Sequence, residues 1–80
     1  MENVKFPSID AYATGRNMKR IARSRNAGAE DVRKALGIGN KSTVYKWFRG
    51  DVLPSIDNLV AFGFVFGATL DEIVATTRSA

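Results

Sequence analysis

The 80-residue chain contains no cysteine and no histidine. The first absence excludes a disulfide framework, thiol catalysis and cysteine metal sites, and suits a reducing compartment. The second removes the commonest metal ligand and general base. No apolar run approaches the roughly 20 residues of a membrane span, and the opening MENVKFPSID lacks the basic-then-apolar order of a secretion signal. The expectation is a cytoplasmic chain without cofactor, metal or membrane partner. Eighty residues suffice for one small hydrophobic core and leave no second domain for a separate activity.

Acidic residues are scarce in the first 50 positions, where eleven Lys and Arg face four Asp and Glu, and the balance reverses in the last 30, with one base against four acids. The formal net charge of +4 therefore hides a strongly basic half. Arg16, Lys19, Arg20, Arg23 and Arg25 fall within ten residues without an intervening acid. Solvated helix faces ordinarily mix signs, so this run points to an anionic partner. Asp51, Asp57, Asp71 and Glu72 do not form an acid/base pair. Three of them fall in the first turns of expected helices, where negative charge offsets the helix dipole, and Asp51 lies in a loop.

Strand alternation, repeats and low-complexity stretches are absent, and the pattern predicts an all-α domain of five helices. Residues 1–9 read as an extended arm preceding the domain at 10–80; Pro7 argues against helix there, Phe6 and Ile9 are placed to pack on the body, and the tip is expected to be disordered. A first helix starts after the N-cap Asp10 and runs to about Arg25, burying Tyr12, Met18 and Ile21, with Asn26 as a left-handed terminal residue and Gly15 weakening its first turns. A second helix spans about Ala29 to Leu36, with Glu30 and Asp31 on its positive end and Val32, Ala35 and Leu36 inward. Gly37 ends it.

Asn40 caps a third helix that Gly50 terminates, and the loop from Asp51 to Pro54 follows. Ser55 caps a fourth helix whose Ile56, Leu59, Val60, Phe62, Val65 and Phe66 form an apolar face wide enough for a central helix. Thr69 and Glu72 match the Ser/Thr-x-x-Glu capping box, so a fifth helix begins there and buries Leu70, Ile73 and Val74.

The stretch GAEDVRKALGIGNKSTVYKWFRG, from Gly28 to Gly50, compresses a short helix, a glycine-punctuated turn and a basic amphipathic helix into one unit. That is the footprint of a helix-turn-helix. On its second helix Val44, Trp47 and Phe48 make an apolar stripe, while Ser42, Tyr45, Lys46 and Arg49 project oppositely with groups suited to base edges and phosphates. Trp47 is core by its spacing from Val44. Tyr45 has no obvious core role and reads as a DNA contact in preference to an idle surface tyrosine.

From Asn17 to Val74 the order of EDVRKALGI, STVYKWFRG, LPSIDNLVAFGFVFG and TLDEIV resembles the Cro and phage-repressor type of helix-turn-helix regulator, the XRE family. The resemblance implies a lambda-repressor-like fold, a recognition helix in the major groove of double-stranded DNA, and a homodimer on a palindromic operator. Carried over by position, it implies base contacts by Lys41, Ser42, Tyr45 and Lys46. It implies phosphate contacts by Asn40, Thr43 and Arg49, joined by Arg16, Lys19, Arg23 and Arg25 of the basic run and by the backbone amide at Ala29.

Three departures stand out. Ala29 replaces a phosphate-binding glutamine common in the family. The turn LGIGNKST is one residue longer than usual, which shifts the start of the third helix. Ala22 and Phe48 stand where many relatives hold a buried Arg–Glu pair, an exchange of ionic for apolar packing that leaves the fold intact. Phe64 lies away from the stripe of Leu59, Phe62 and Phe66, and is either an interface with a second copy or a protein partner, or is tucked under the fifth helix or the arm. Gly63 beside it permits close approach of another backbone. The alternative to DNA reading is a protein-interaction module, in which the same bundle binds a toxin-like or polymerase partner through Phe64 and the fifth helix. No enzyme chemistry is expected.

Overall fold

The computed structural model describes residues 7–77. Seven elements follow one another: β1 (Ser8–Ile9), α1 (Ala11–Ser24), α2 (Ala29–Leu36), α3 (Lys41–Arg49), α4 (Ile56–Phe66), α5 (Leu70–Ile73) and β2 (Thr76–Thr77). Four of the five helices, all but α2 with its Gly28 N-cap, start where a short polar side chain can accept an orphan amide. Asp10 takes the Ala13 N–H at 3.0 Å, Asn40 that of Ser42 at 2.7 Å and Ser55 that of Asn58 at 3.2 Å. At α5 the capping box is complete: the Thr69 hydroxyl accepts from the Glu72 N–H at 3.2 Å, and the Glu72 carboxylate accepts from the Thr69 N–H at 2.8 Å. Gly37, Gly50 and Gly67 close α2, α3 and α4 in the left-handed region, and Asn26 adopts φ +59 after α1.

The core draws Met18, Ile21 and Ala22 from α1, Ala29 and Val32 from α2, Val44, Trp47 and Phe48 from α3, Leu59, Phe62 and Phe66 from α4, and Ile73 from α5. Trp47 is buried as its spacing predicts, and Ala22 and Phe48 are both interior. Phe62 and Phe66 stack as a tilted pair with centroids 4.7 Å apart.

The five expected helices form and the described chain is mostly helical. Several finer expectations fail. A small sheet accompanies the helices: Ser8–Ile9 pairs antiparallel with Thr76–Thr77, Ser8 opposite Thr77 and Ile9 opposite Thr76. The end of the N-terminal arm is thus a strand, with Ile9 exposed; the expectations for Phe6 and the arm's tip lie outside the described residues. Tyr12, Ala35 and Leu70 are exposed, because each lies just off the buried arc of its helix.

Nor is α4 the central helix. It packs on α2 and α5, whereas α1 packs on α3 and α5, and Ile56, Val60, Phe64 and Val65 remain exposed. Gly63 does serve a close approach, but the approaching backbone is the chain's own. A Cβ there would lie 2.5 Å from the Ala68 carbonyl oxygen, and the Ala68 N–H donates to the Gly63 carbonyl at 2.9 Å.

Gly15 has a role that helix propensity conceals. A Cβ at this position would sit 2.1 Å from the Trp47 carbonyl oxygen and 2.8 Å from that of Phe48, so α1 and α3 touch backbone to backbone. The far end of this contact is Gly50, where a Cβ would meet the Tyr12 backbone at 2.6 Å. This seam fixes the position of α3 on the body.

Candidate nucleic-acid interface

The helix α3 presents one face to the core through Val44, Trp47 and Phe48 and leaves Lys41, Ser42, Tyr45, Lys46 and Arg49 exposed. Asn40, before it, is exposed, and Thr43 is half-buried. The Asn40 carboxamide oxygen accepts from both the amide and the hydroxyl of Ser42, so the first turn of α3 is preorganised. Tyr45 stands between Lys41 and Lys46 in the sequence of this face, 45% exposed, with its ring outside the core.

Arg33 is a structural residue that the sequence reading missed. Its Nε and one terminal nitrogen donate to the Glu30 carboxylate at 2.9 and 2.7 Å, and its other terminal nitrogen donates to the Ile38 carbonyl at 3.2 Å. One guanidinium therefore ties α2 to the Gly37–Gly39 turn from which α3 departs, and braces the longer turn between the two helices. The Glu30–Arg33 spacing was visible as an i, i+3 pair, but the bond to Ile38 depends on the fold of the turn. The Arg33 hydrogen bonds hold the Glu30 carboxyl below its ordinary value, with the charges of Arg33, Lys34 and Lys41 acting the same way.

A shallow groove lies between the outer face of α1 and the C-terminal end of α3. It brings together Arg16, Lys19, Arg20 and Arg23 with Arg49. The Arg16 guanidinium lies over the Tyr12 ring, 5.6 Å from its centroid, which gives the exposed tyrosine a partner. Arg20 donates to the Asn17 side chain at 3.2 Å, and Asn17 in turn donates to the Ile73 carbonyl at 3.0 Å. Arg49 pairs with Asp51 at 3.0 Å, both side chains being largely exposed. A pair in water is weak enough for a phosphate to compete for the arginine.

Two residues stand apart from these groups. Arg25 donates to the Ser24 hydroxyl and reaches the end of α4, where a Cβ on Gly67 would be 3.6 Å from its terminal nitrogen. Ala29 is buried, so only its amide is available, and the Asp31 carboxylate accepts from the Gly28 N–H at 2.8 Å beside it. The N-terminus of α2 thus carries an anion of its own. Among the described residues no His, Cys, Asp or Glu cluster could hold a metal, and no helix is long and apolar enough to cross a membrane.

Two short helices joined by a tight turn, the second seated on a helical body with its polar face outward, define a helix-turn-helix fold. Among solved structures the chain is similar to the DNA-binding domain of BldD, with a TM-score of 0.71 and 19% identity over 82% of this chain and 94% of that one. This likeness is one of fold. No family model matches the chain, and no curated protein matches it.

Proposed function

We propose that this protein is a sequence-specific, double-stranded-DNA-binding transcriptional regulator, a repressor of the Cro and phage-repressor type that acts as a homodimer on a palindromic operator. The observation that carries the reading is the outward face of α3, built entirely of cationic, hydroxyl and phenol groups on a fold shared with a DNA-binding domain. In this reading α3 enters the major groove, and Lys41, Ser42, Tyr45 and Lys46 read base edges. Asn40, Thr43 and Arg49 hold the backbone beside them, and Arg16, Lys19 and Arg23 extend the phosphate contacts along the α1 groove. Arg25 and the Ala29 amide would serve phosphates at the α1–α2 junction. The buried aromatic Trp47 takes no part in base stacking.

The experiment is selection of bound sequences from a random duplex pool at low and physiological salt. The expected product is a palindrome whose half-sites are centred about 34 Å apart, one helical turn. Its affinity should fall by roughly 10³ to 10⁵ between 50 and 200 mM salt for six to ten phosphate contacts. Recovery of no sequence preference, or binding indifferent to salt, overturns the reading and favours the protein-interaction alternative.

A further inference from the structure

The helix α4 carries an apolar ridge that no described part of the chain covers. Ile56, Val60 and Phe64 are 65%, 52% and 88% exposed, and they stand four residues apart along one line of the helix. Eight of the eleven residues of α4 are apolar, and its one charged side chain, Asp57, lies beside the ridge. The buried side of the same helix is already satisfied by Leu59, Phe62 and Phe66. Phe64 in particular does not tuck under α5 and stands at the surface of the described residues; residues 1–6 of the arm, the other cover the sequence offered, lie outside them.

We infer that this ridge is the two-fold interface of the homodimer, with α4 of one copy lying antiparallel across α4 of the other and Val60 on the axis. The inference deepens the dimer reading above by giving it a surface. Three features favour a second copy of this chain as the occupant. A row of i, i+4, i+8 side chains is the ridge that interdigitates with its own copy in the commonest class of helix packing, at a crossing angle near −50°. Antiparallel pairing about Val60 sets small Ile56 against the partner's large Phe64 and the reverse, the reciprocal match that a two-fold contact requires.

The third feature is charge, while area sets how strong the contact can be. The ridge offers roughly 400 Å² of apolar surface per copy, within the size of patches that are functional on monomers. Two copies would bury about 800 Å², less than the roughly 1,200 Å² of a standard stable interface. A weak, reversible dimer follows, one that two DNA half-sites would hold together by effective concentration. No charge on α4 opposes it, because in the antiparallel register the two Asp57 side chains lie on opposite sides of the axis.

The absence of cysteine makes the register directly testable. In the full chain without DNA, Val60→Cys should cross-link to itself under mild oxidation. Ile56→Cys and Phe64→Cys should cross-link to one another when mixed, at least tenfold faster than either does alone. In sedimentation, the average mass of the unaltered chain should climb from 8.8 kDa toward twice that value as concentration rises to about 1 mM. Phe64→Glu should stay at the monomer mass with an unchanged melting temperature.

Monomeric sedimentation at every concentration, a dimer insensitive to Phe64→Glu, or cross-linking rates without the Ile56–Phe64 preference would each overturn the inference. A palindrome from the random pool without this cross-linking pattern would sink the interface and leave the regulator reading standing. The pattern without a palindrome would do the reverse.

Discussion

Replacing Gly15 with alanine puts helix propensity and tertiary packing in direct opposition. In an isolated helix the substitution stabilises by about 1 kcal/mol. In this fold the new Cβ would lie 2.1 Å from the Trp47 carbonyl oxygen, where ordinary contact begins at 3.4 Å, and both offending groups are backbone. The Trp47 oxygen also accepts the Gly50 N–H at 3.1 Å at the end of α3, so it cannot turn aside cheaply. Relief requires α1 and α3 to separate by about 1 Å across a close-packed seam, which places the cost at or above the roughly 1 to 3 kcal/mol typical of overpacking.

Net of the propensity gain, Gly15→Ala should destabilise by about 2 kcal/mol, or about 8 to 16 °C in melting temperature for a domain of this size. Thermal denaturation followed by circular dichroism reads this directly. Gly39→Ala is the control, since no atom lies within 4 Å of the added Cβ and φ is not positive; it should be neutral or raise stability by about 0.4 to 1 kcal/mol. If Gly15→Ala melts at or above the temperature of the unaltered chain, the backbone seam is not as close as described and the reasoning fails.

Other consequences are equally open to measurement. Thr14 is fully buried, and its hydroxyl accepts the Ala75 N–H at 3.0 Å, so Thr14→Val should cost about 1 to 3 kcal/mol in denaturant titration by leaving that amide unpaired. Thr69→Ala removes the α5 cap and should cost about 1 kcal/mol by the same assay. Because Glu30 titrates lower in the folded chain than in the unfolded one, its contribution is complete above the ordinary value of 4.5 and fades as pH falls through the lowered value. Glu30→Gln should therefore be less stable than the unaltered chain near neutrality, and the difference should vanish in acid melts. Lys46→Ala should relax preference at one base pair by about 1 to 3 kcal/mol in competition binding, whereas Arg23→Ala should weaken all sequences alike; an unaltered base preference in the first would refute the docking of α3.

Local chemistry was legible in the sequence and long-range approach was not. Asp10, Asn40, Ser55 and Thr69 announced the helix starts, and Gly37 and Gly50 the ends, because a cap is decided within three or four residues. The split of α3 into a buried stripe and a polar face followed from its mixed composition. In α4 the same reasoning lost its contrast, since a helix apolar nearly all round does not reveal which residues its neighbours cover. Two-residue strands have no alternation to detect, so the pairing of Ser8–Ile9 with Thr76–Thr77 was invisible. Gly15 read as a weak helix former because its partner, the Trp47 carbonyl, lies 32 positions away. The Arg33 bond to Ile38 was hidden for a similar reason, being a property of the turn's shape.

The short pairing of Ser8 with Thr77 also has an architectural consequence. Their hydroxyls are 3.1 Å apart, and the Asp10 N–H donates to the Ala75 carbonyl at 2.8 Å just inside them. Ser8 and Thr77 thus lie side by side at one corner of the domain, at the start of α1. A module spliced to either end would be presented from the same corner, and the unit could be inserted within a host loop as readily as appended to a terminus.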